Sequence, residues 1–392
     1  FMVGSKPTGG HVVYMDFKET MTLESGKADE QVVKLSEKPY GTGLSFSGWV
    51  GFFGYEFLAA HAGHKLRASR DLSVPEGFFG RPQTILRTDE KTLSIESILP
   101  DREGELSLLF AKNTPMGKEV SATDIKCNLS FDEYAKIFAI AREAILDGET
   151  YQIKISQRHE ARTQVDPVSA FCRLHASNPS PEAFLLHLRD LTIISCSPEA
   201  VIDKQGDRII TRPIGGTYER EQNRGEREVV ANFLSDPKEV AEHNMLVDLE
   251  RNDLSTVCKP GSVRIARFRE VETYSHLHHL VSTIEGRLRP DVELRDILRG
   301  ILPGGTITGC PKIRTIELID SLEPCFRGPY TGSFGTIGDD GSLRLNLIIR
   351  ALVATSDRCF AQAGGGIVVD STPEYEYKEN ELKARALLDL LK

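Results

Sequence analysis

Two predicted helices of this chain each begin with a pair of glutamates spaced three residues apart. Glu239 and Glu242 stand near the start of DPKEVAEHNMLVDLERNDL, and Glu376 and Glu379 stand near the start of STPEYEYKENELKARALLDLLK. In both stretches a capping side chain precedes a proline that fits the first helical position, where no amide hydrogen is needed. Residues three apart project from the same side of a helix, so each pair forms one acidic face.

The four carboxylates would converge if the two helices face each other. A hard divalent cation would neutralise this like charge and still hold waters and an acidic substrate. We therefore expect a Mg²⁺ site formed by Glu239, Glu242, Glu376 and Glu379. The alternative is that the pairs lie on solvated helix faces, which is the better interpretation of either pair alone. Two pairs, both placed just after a capped proline, favour the metal site.

Size and charge narrow the class of protein. The chain has 392 residues, of which 40% are hydrophobic, enough for a large core in one domain or in two closely packed ones. The formal net charge is -9 and the sequence has no basic run, so we expect no nucleic-acid partner. It also has no long apolar run and no recognisable signal peptide, so we expect no membrane partner and a cytoplasmic location.

The cysteines and the first residues of the chain allow two further predictions. Seven cysteines are scattered without a CxxC pair, which favours reduced, cytosolic thiols over a disulfide framework or a zinc site. The chain opens on FMV, which reads like the middle of a strand, so we expect the natural N-terminus to lie upstream of Phe1.

Strands outnumber helices in the predicted order of elements. Residues 1–125 alternate short strands with Gly and Pro turns, and we expect them to form an N-terminal strand-rich portion. Residues 126–392 add a few long helices, the first starting at a capping box of Ser130 and Glu133, and should form the core that carries the chemistry. Because regular βαβ alternation is absent, we predict an α+β fold with layered, largely antiparallel sheets.

Three further stretches have residues that could bind an anion or move a proton. AGGGIV offers consecutive backbone NH groups, although a strand bend explains it equally well, and PGGTITGCPK places glycines and threonines before a helix. Arg350 follows an apolar strand, where structural pairing with a carboxylate is the alternative to substrate binding. One histidine of YSHLHHLVS serves more economically as a general acid than as a zinc ligand, since no further Cys or His follows at ligand spacing.

Taken together and in order, these motifs resemble component I of the chorismate-utilising enzymes. That family includes anthranilate synthase and aminodeoxychorismate synthase, with isochorismate and salicylate synthases as more distant relatives. The resemblance covers residues 130–392 closely and GWVGFFGYEF loosely. The motifs that carry it are YQIKISQR, SPE, RPIGGT, DPKEVAEHNMLVDLERNDL, YSHLHHLVS, PGGTITGCPK, GPYTG, IIR, QAGGGIV and EYEYKENELKA.

The resemblance implies a β-sandwich core wrapped by helices, with chorismate and Mg²⁺ in a cleft. Glu242 and Glu379 would ligate Mg²⁺ most directly, and Glu239 and Glu376 would help, partly through water. The metal would hold the ring carboxylate of chorismate.

The resemblance also implies how the other end of the substrate is bound. Tyr330, Arg350 and the NH groups of Gly365 and Gly366 would receive the pyruvyl-side carboxylate. Thr306 would add a hydroxyl contact.

The catalytic set implied by the resemblance is His279, Gly215, Thr217 and Gln152. His279 matches the histidine near the leaving oxygen, and Thr217 ends the RPIGGT motif. Water-adding members carry a lysine base where this chain has Gln152, which argues against isochorismate and salicylate synthesis.

Position 215 separates the two aminating branches. Aminodeoxychorismate synthases usually carry a nucleophilic lysine there, and anthranilate synthases usually carry alanine. Gly215 departs from both patterns and favours direct addition of ammonia. Lys154 lies on the same strand face as Gln152 and could replace the missing nucleophile, although a surface or salt-bridging role is the alternative.

We therefore expect an enzyme that aminates chorismate with ammonia from a glutamine amidotransferase partner. TITGCPK, HHLVSTIEG and LRLNLIIR resemble the aminodeoxychorismate branch, so we prefer 4-amino-4-deoxychorismate, on the para-aminobenzoate and folate pathway, as the product. The alternative is anthranilate synthase component I, which forms anthranilate and pyruvate on the tryptophan pathway. A non-catalytic chorismate- or tryptophan-binding relative is a third hypothesis, supported only by Gly215.

Overall fold

Strands and helices alternate along the chain in the computed structural model. The model describes residues 1–5, 10–37, 41, 43–89, 91–110, 122, 124–219, 226–273 and 277–391. The strands are β1 (Met2–Ser5), β2 (His11–Thr22), β3 (Gly48–Phe53), β4 (Gly77–Thr88), β5 (Leu93–Ser97), β6 (Ile125–Cys127), β7 (Gln152–Ala161), β8 (Glu182–His187), β9 (Thr192–Ser197), β10 (Ala200–Gln205), β11 (Arg208–Thr211), β12 (Ile214–Glu219), β13 (Arg264–Thr273), β14 (Leu277–Arg287), β15 (Gly309–Cys310), β16 (Ser333–Gly338), β17 (Leu343–Leu347), β18 (Ala351–Ala354) and β19 (Cys359–Ile367). The α-helices are α1 (Ala28–Leu35), α2 (Tyr55–His61), α3 (Arg102–Phe110), α4 (Phe131–Leu146), α5 (Pro167–Ser177), α6 (Glu226–Ser235), α7 (Pro237–Ser255), α8 (Leu294–Ile301), α9 (Lys312–Leu322) and α10 (Pro373–Leu388).

The strands form one large, curled antiparallel sheet of 19 strands. From β7 the hydrogen-bonded path runs through β19, β18, β9, β8 and β1 to β2. It continues through β4, β3, β16, β17, β10 and β11 to β14, which also pairs with β12 and β13. The predicted α+β class with antiparallel pairing is confirmed. The sandwich arrangement and the division at residue 125 stay predictions, and strands of residues 1–125 lie in the middle of this path.

Both acidic helices start where the sequence predicts. Asp236 Oδ1 accepts the NH of Glu239 at 3.2 Å at the start of α7. Thr372 Oγ1 accepts the NH of Tyr375 at 3.4 Å at the start of α10. Further along α10, Leu387 packs into a buried apolar cluster with residues of β18 and β9, which anchors the helix on the sheet. No described helix has the length and apolar character needed to cross a membrane.

Glu56 of α2 ties the N-terminal strands to the segment that leads into GPYTG. Its buried carboxylate accepts the NH of Arg327 at 2.7 Å and the NH of Gly328 at 2.9 Å. Burial raises the pKa of this carboxyl to about 7, although the backbone NH donors and the Arg327 charge act in the opposite direction.

We expect the Glu56→Gln variant to lose part of the pH dependence of stability. A carboxyl whose pKa is raised by folding stabilises the folded state below its unfolded pKa of 4.5, and this contribution is lost as the pH rises towards 7. The wild-type free energy of unfolding, measured by chemical denaturation between pH 4.5 and pH 7.5, should therefore fall more than that of the variant. Glu30→Gln, at an exposed position on α1, is the control. Equal pH profiles for the wild type and Glu56→Gln would contradict this role.

Candidate active site

One cavity of about 230 Å³ brings most of the predicted site residues together. It lies where the two ends of the sheet path approach each other, β7 and β19 on one side and β12 and β14 on the other, with α7 and α10 alongside. The predicted residues that line it are Gln152, Gly215, Glu239, Glu242, His279, Thr306, Tyr330, Arg350, Gly366, Glu376 and Glu379.

The two remaining predicted residues, Gly365 and Thr217, are placed differently. Gly365 lies beneath α10: a Cβ added there would come within 2.4 Å of Glu376 Oε2 and within 3.2 Å of Glu379 Oε2. Thr217 lies on β12 opposite His279, and its side chain is outside the described part of the structure. Gly365 therefore leaves room for the glutamates of α10 to pack directly on β19.

The carboxylates of α10 experience opposite electrostatic environments. Glu376 is 3% exposed; its Oε1 accepts the Ser371 hydroxyl at 2.8 Å, and its buried Oε2 has no hydrogen-bond partner among the described residues. Burial raises the pKa of Glu376 to about 7. Burial also acts to raise the pKa of Glu379, but the neighbouring Lys383, 3.1 Å away, and Lys154 outweigh it and hold that pKa below its ordinary value.

These residues have the donor chemistry of a site for a hard divalent cation. Carboxylates from α7 and α10 line the same cavity, and the free Oε2 of Glu376 is an oxygen ligand without a partner. Across the described ranges, no three potential ligand side chains are gathered around one point, and Lys383 is paired with Glu379. Glu239, Glu242, Glu376 and Glu379 are carboxylates of this lining that could hold a divalent cation, and Lys383 would have to leave Glu379 before that carboxylate could serve fully as a ligand.

Another part of the cavity wall is formed by Glu199, which was not predicted as a site residue, and by Lys154, which was named only as a possible replacement nucleophile. Thr306 Oγ1 donates to Glu199 Oε1 at 2.9 Å, and Lys154 Nζ donates to the carbonyl oxygen of Thr306 at 3.0 Å. Burial raises the pKa of Glu199 to about 7, while burial and the charge of Lys383 lower the pKa of Lys154 to about 8. The only sequence signals were the SPE motif, which contains Glu199, and the position of Lys154 two residues after Gln152.

Arg350 and His279 meet on the cavity wall. Arg350 Nη2 lies 3.5 Å from His279 Nε2, and the residue takes a left-handed backbone conformation with φ of 49°. Its carbonyl oxygen accepts the NH of Cys196. The hydroxyl of Tyr330 lies close by β19, 3.1 Å from where a Cβ on Gly364 would be. A cationic and a phenolic group thus lie beside the glycine-rich strand.

The strand register decides which glycine NH groups face the cavity. The NH of Lys154 bonds to Thr308 on the far side of β7, and Lys154 is opposite Gly366. When two opposite residues of an antiparallel pair do not hydrogen-bond to each other, their NH groups point away from the partner strand. The NH groups of Gly366 and, two residues earlier, Gly364 therefore point away from β7, and both glycines line the cavity. The NH group of Gly365, which lies between these two glycines, points towards β7 instead.

A buried ion pair stabilises the part of the cavity wall that β7 and Thr306 form. Arg327, 2% exposed, donates to Glu323 at 2.7 and 2.8 Å and to the carbonyl oxygens of Lys154 at 2.8 Å and Ile307 at 3.1 Å. Glu323 also accepts the backbone NH and the hydroxyl of Ser156, each at 2.8 Å. One fully satisfied guanidinium thus fixes β7 against the segment that carries Thr306.

Comparison with known proteins places the chain in a family. The model of the chorismate binding enzymes matches residues 2–389, and the chain belongs to that family. The chain is similar to the aminodeoxychorismate synthase component 1 of Bacillus subtilis (strain 168), with 36% identity over 356 residues, covering 87% of this chain and 76% of that protein.

Two anthranilate synthase components are similar as well. The anthranilate synthase component 1 1 of Haloarcula marismortui is 44% identical over 272 residues, which cover 69% of this chain and 56% of that relative. The match thus spans little more than half the length of that relative. The crystal structure of anthranilate synthase component I from Streptococcus pneumoniae TIGR4 superposes with a TM-score of 0.85 at 27% identity, covering 96% of this chain and 91% of that chain.

Proposed function

We propose that this chain aminates chorismate with ammonia and forms 4-amino-4-deoxychorismate. The observation that carries the proposal is one cavity, in a chain of the chorismate-binding family, that is lined both by carboxylates from two helix starts and by Arg350 with glycines of β19. A dicarboxylate would be held at both ends by such a cavity, one carboxylate on the metal side and the other on the cationic side.

The residues on the cationic side would bind and orient the substrate. Arg350, the hydroxyl of Tyr330 and the NH groups of Gly364 and Gly366 are donors that suit a carboxylate. His279 lies 3.5 Å from Arg350 and would give a proton to the departing hydroxyl of the ring.

In the same cavity, Glu239, Glu242, Glu376 and Glu379 would hold Mg²⁺. A bound Mg²⁺ would neutralise the ring carboxylate and polarise that end of the substrate. Ser371 orients Glu376 through its hydroxyl, and Gly365 lets α10 sit close enough for both of its glutamates to face the cavity.

Lys154 supports the 4-amino product. The 4-amino product can form through a lysine amine that acts as a temporary nucleophile on the ring of chorismate. Lys154 lines the cavity, and burial together with the charge of Lys383 lowers its pKa to about 8, so a minor fraction of the amine is neutral near pH 7. Gln152, on the same strand face, has no basic group that would activate water.

Anthranilate is the second candidate product, and Gly215 is the observation that favours it. A cavity wall without a side chain leaves room for ammonia to reach the ring directly. In either case we propose that the ammonia comes from a glutamine amidotransferase subunit, because the relatives with this architecture are named as components of synthases.

Product analysis tests the proposal. The protein is incubated with chorismate, Mg²⁺ and ammonium, and the mixture is divided between an anthranilate fluorescence assay and conversion to 4-aminobenzoate by an added aminodeoxychorismate lyase. We expect 4-aminobenzoate and no anthranilate. Anthranilate with an equal amount of pyruvate would overturn the 4-amino product but keep the amination, and chorismate that is not consumed in an ammonium-dependent way would overturn both.

The Glu379→Gln variant tests the metal side. We expect ammonium-dependent turnover to fall at least about 100-fold, because loss of a direct metal ligand removes several kcal/mol of charge stabilisation. Glu381→Gln, on the same helix but exposed, should retain wild-type turnover. Circular dichroism would show that both variants are folded, and a folded Glu379→Gln protein with unchanged Mg²⁺-dependent turnover would remove Glu379 from the site.

A further inference from the structure

Helix α7 covers Gly215 so closely that the position has no room for a side chain. A Cβ added to Gly215 would lie 2.9 Å from His243 Nδ1, 3.1 Å from Leu246 Cδ1 and 3.2 Å from His243 Cα. Separations below 3.0 Å do not occur for real Cβ atoms, and the third contact is with the helix backbone. The imidazole or the helix backbone beside it must therefore shift, by at least a few tenths of an ångström, before a side chain fits.

The imidazole of His243 is not free to move. His243 is 0% exposed, and its Nε2 lies 2.7 Å from the hydroxyl oxygen of Ser282. That oxygen also accepts the NH of Arg269 at 3.0 Å, which fixes the hydroxyl in turn. The other ring nitrogen, Nδ1, is buried against Gly215 and has no hydrogen-bond partner among the described residues. Turning the ring away from Gly215 would break the bond to Ser282 inside the core.

Moving the helix instead would disturb the carboxylates. Glu239 and Glu242 lie on the same helix as His243 and face the cavity. A shift of α7 that makes room at Gly215 would also move both carboxylates relative to the rest of the cavity. The approach of α7 to β12 therefore links the residue at position 215 to the metal side of the site.

We propose that His243 determines specificity by occupying the space that a side chain at position 215 needs, so that the position cannot carry a nucleophile. The inference rests on the proposed amination, and it deepens it: a nucleophile cannot extend from position 215, and the described lysines that line the cavity are Lys154 on β7 and Lys383 on α10. His243 acts through Gly215 and is a positioning residue.

A double-mutant cycle on stability tests the steric part. Four proteins are compared by chemical denaturation: the wild type, Gly215→Ala, His243→Ala and the double variant. Overpacking predicts that Gly215→Ala lowers the folding equilibrium constant about tenfold in the wild-type background and less than about twofold in the His243→Ala background. An equal loss in both backgrounds would overturn the inference. His243→Gln, which keeps an amide donor for Ser282, replaces His243→Ala if that variant does not fold, with the same expectation.

Gly4→Ala is the matched control for the cycle. Gly4 lies in β1, and a Cβ there meets no atom within 4 Å. We expect its effect on the folding equilibrium to be the same with His243 or with alanine at that position. A background-dependent effect at Gly4 would mean that His243→Ala loosens the whole fold, and the coupling at Gly215 would then no longer support the inference.

Gly215→Lys tests the specificity part. Its readout is the ratio of the two amination products, which a purely structural role of His243 would not change. In the wild-type background we expect loss of Mg²⁺-dependent turnover, with a raised KM for Mg²⁺ in any residual activity. In the His243→Ala background the lysine should be accommodated, and the ratio of 4-amino to 2-amino product should rise at least about fivefold over His243→Ala alone. An unchanged ratio in the folded double variant would overturn the specificity role. If none of the proteins consumes chorismate, the proposed function fails while the stability cycle still decides the steric part.

Discussion

The packing of two glutamates at the start of α10 on the glycines of β19, in a cavity that the glutamates of α7 also line, is the constraint on which the rest of the site depends. Burying like charge is costly unless a cation or a proton offsets it. Here Lys383 pairs with Glu379, and burial raises the pKa of Glu376 to about 7. The glycine at position 365 lets both glutamates of α10 lie close together on β19. Such an arrangement is costly for a purely structural surface and suits a site that binds a cation and an acidic ligand.

The curled sheet determines where these charges meet. Its hydrogen-bonded path runs from β7 through the N-terminal strands to β14, and its ends lie on two sides of one cavity. Arg327 then fixes the wall by bonding the carbonyls of Lys154 and Ile307, while Glu56 holds the Arg327 backbone from α2. Residues far from the chemistry in sequence therefore set the positions of the groups that line it.

Local features of the site were predictable because their causes are local. Capping residues, prolines and three-residue spacing place Glu239, Glu242, Glu376 and Glu379 without any knowledge of the tertiary structure. What was missed depends on packing between distant segments. The burial of Glu199 and the contact of His243 with Gly215 follow from how α7 and the loop at Thr306 settle on the sheet, and the strand register, which sequence pattern alone does not fix, decides that Gly364 rather than Gly365 faces the cavity.

The central claim is that carboxylates from two separate helices bind one divalent cation in this cavity. Anomalous diffraction from crystals of the protein grown with Mn²⁺ in place of Mg²⁺ tests it most directly, because Mn²⁺ accepts the same oxygen ligands. The account predicts one strong peak within about 2.5 Å of carboxylate oxygens from both α7 and α10. A peak bound only by residues of one helix, or located outside the cavity, would contradict it.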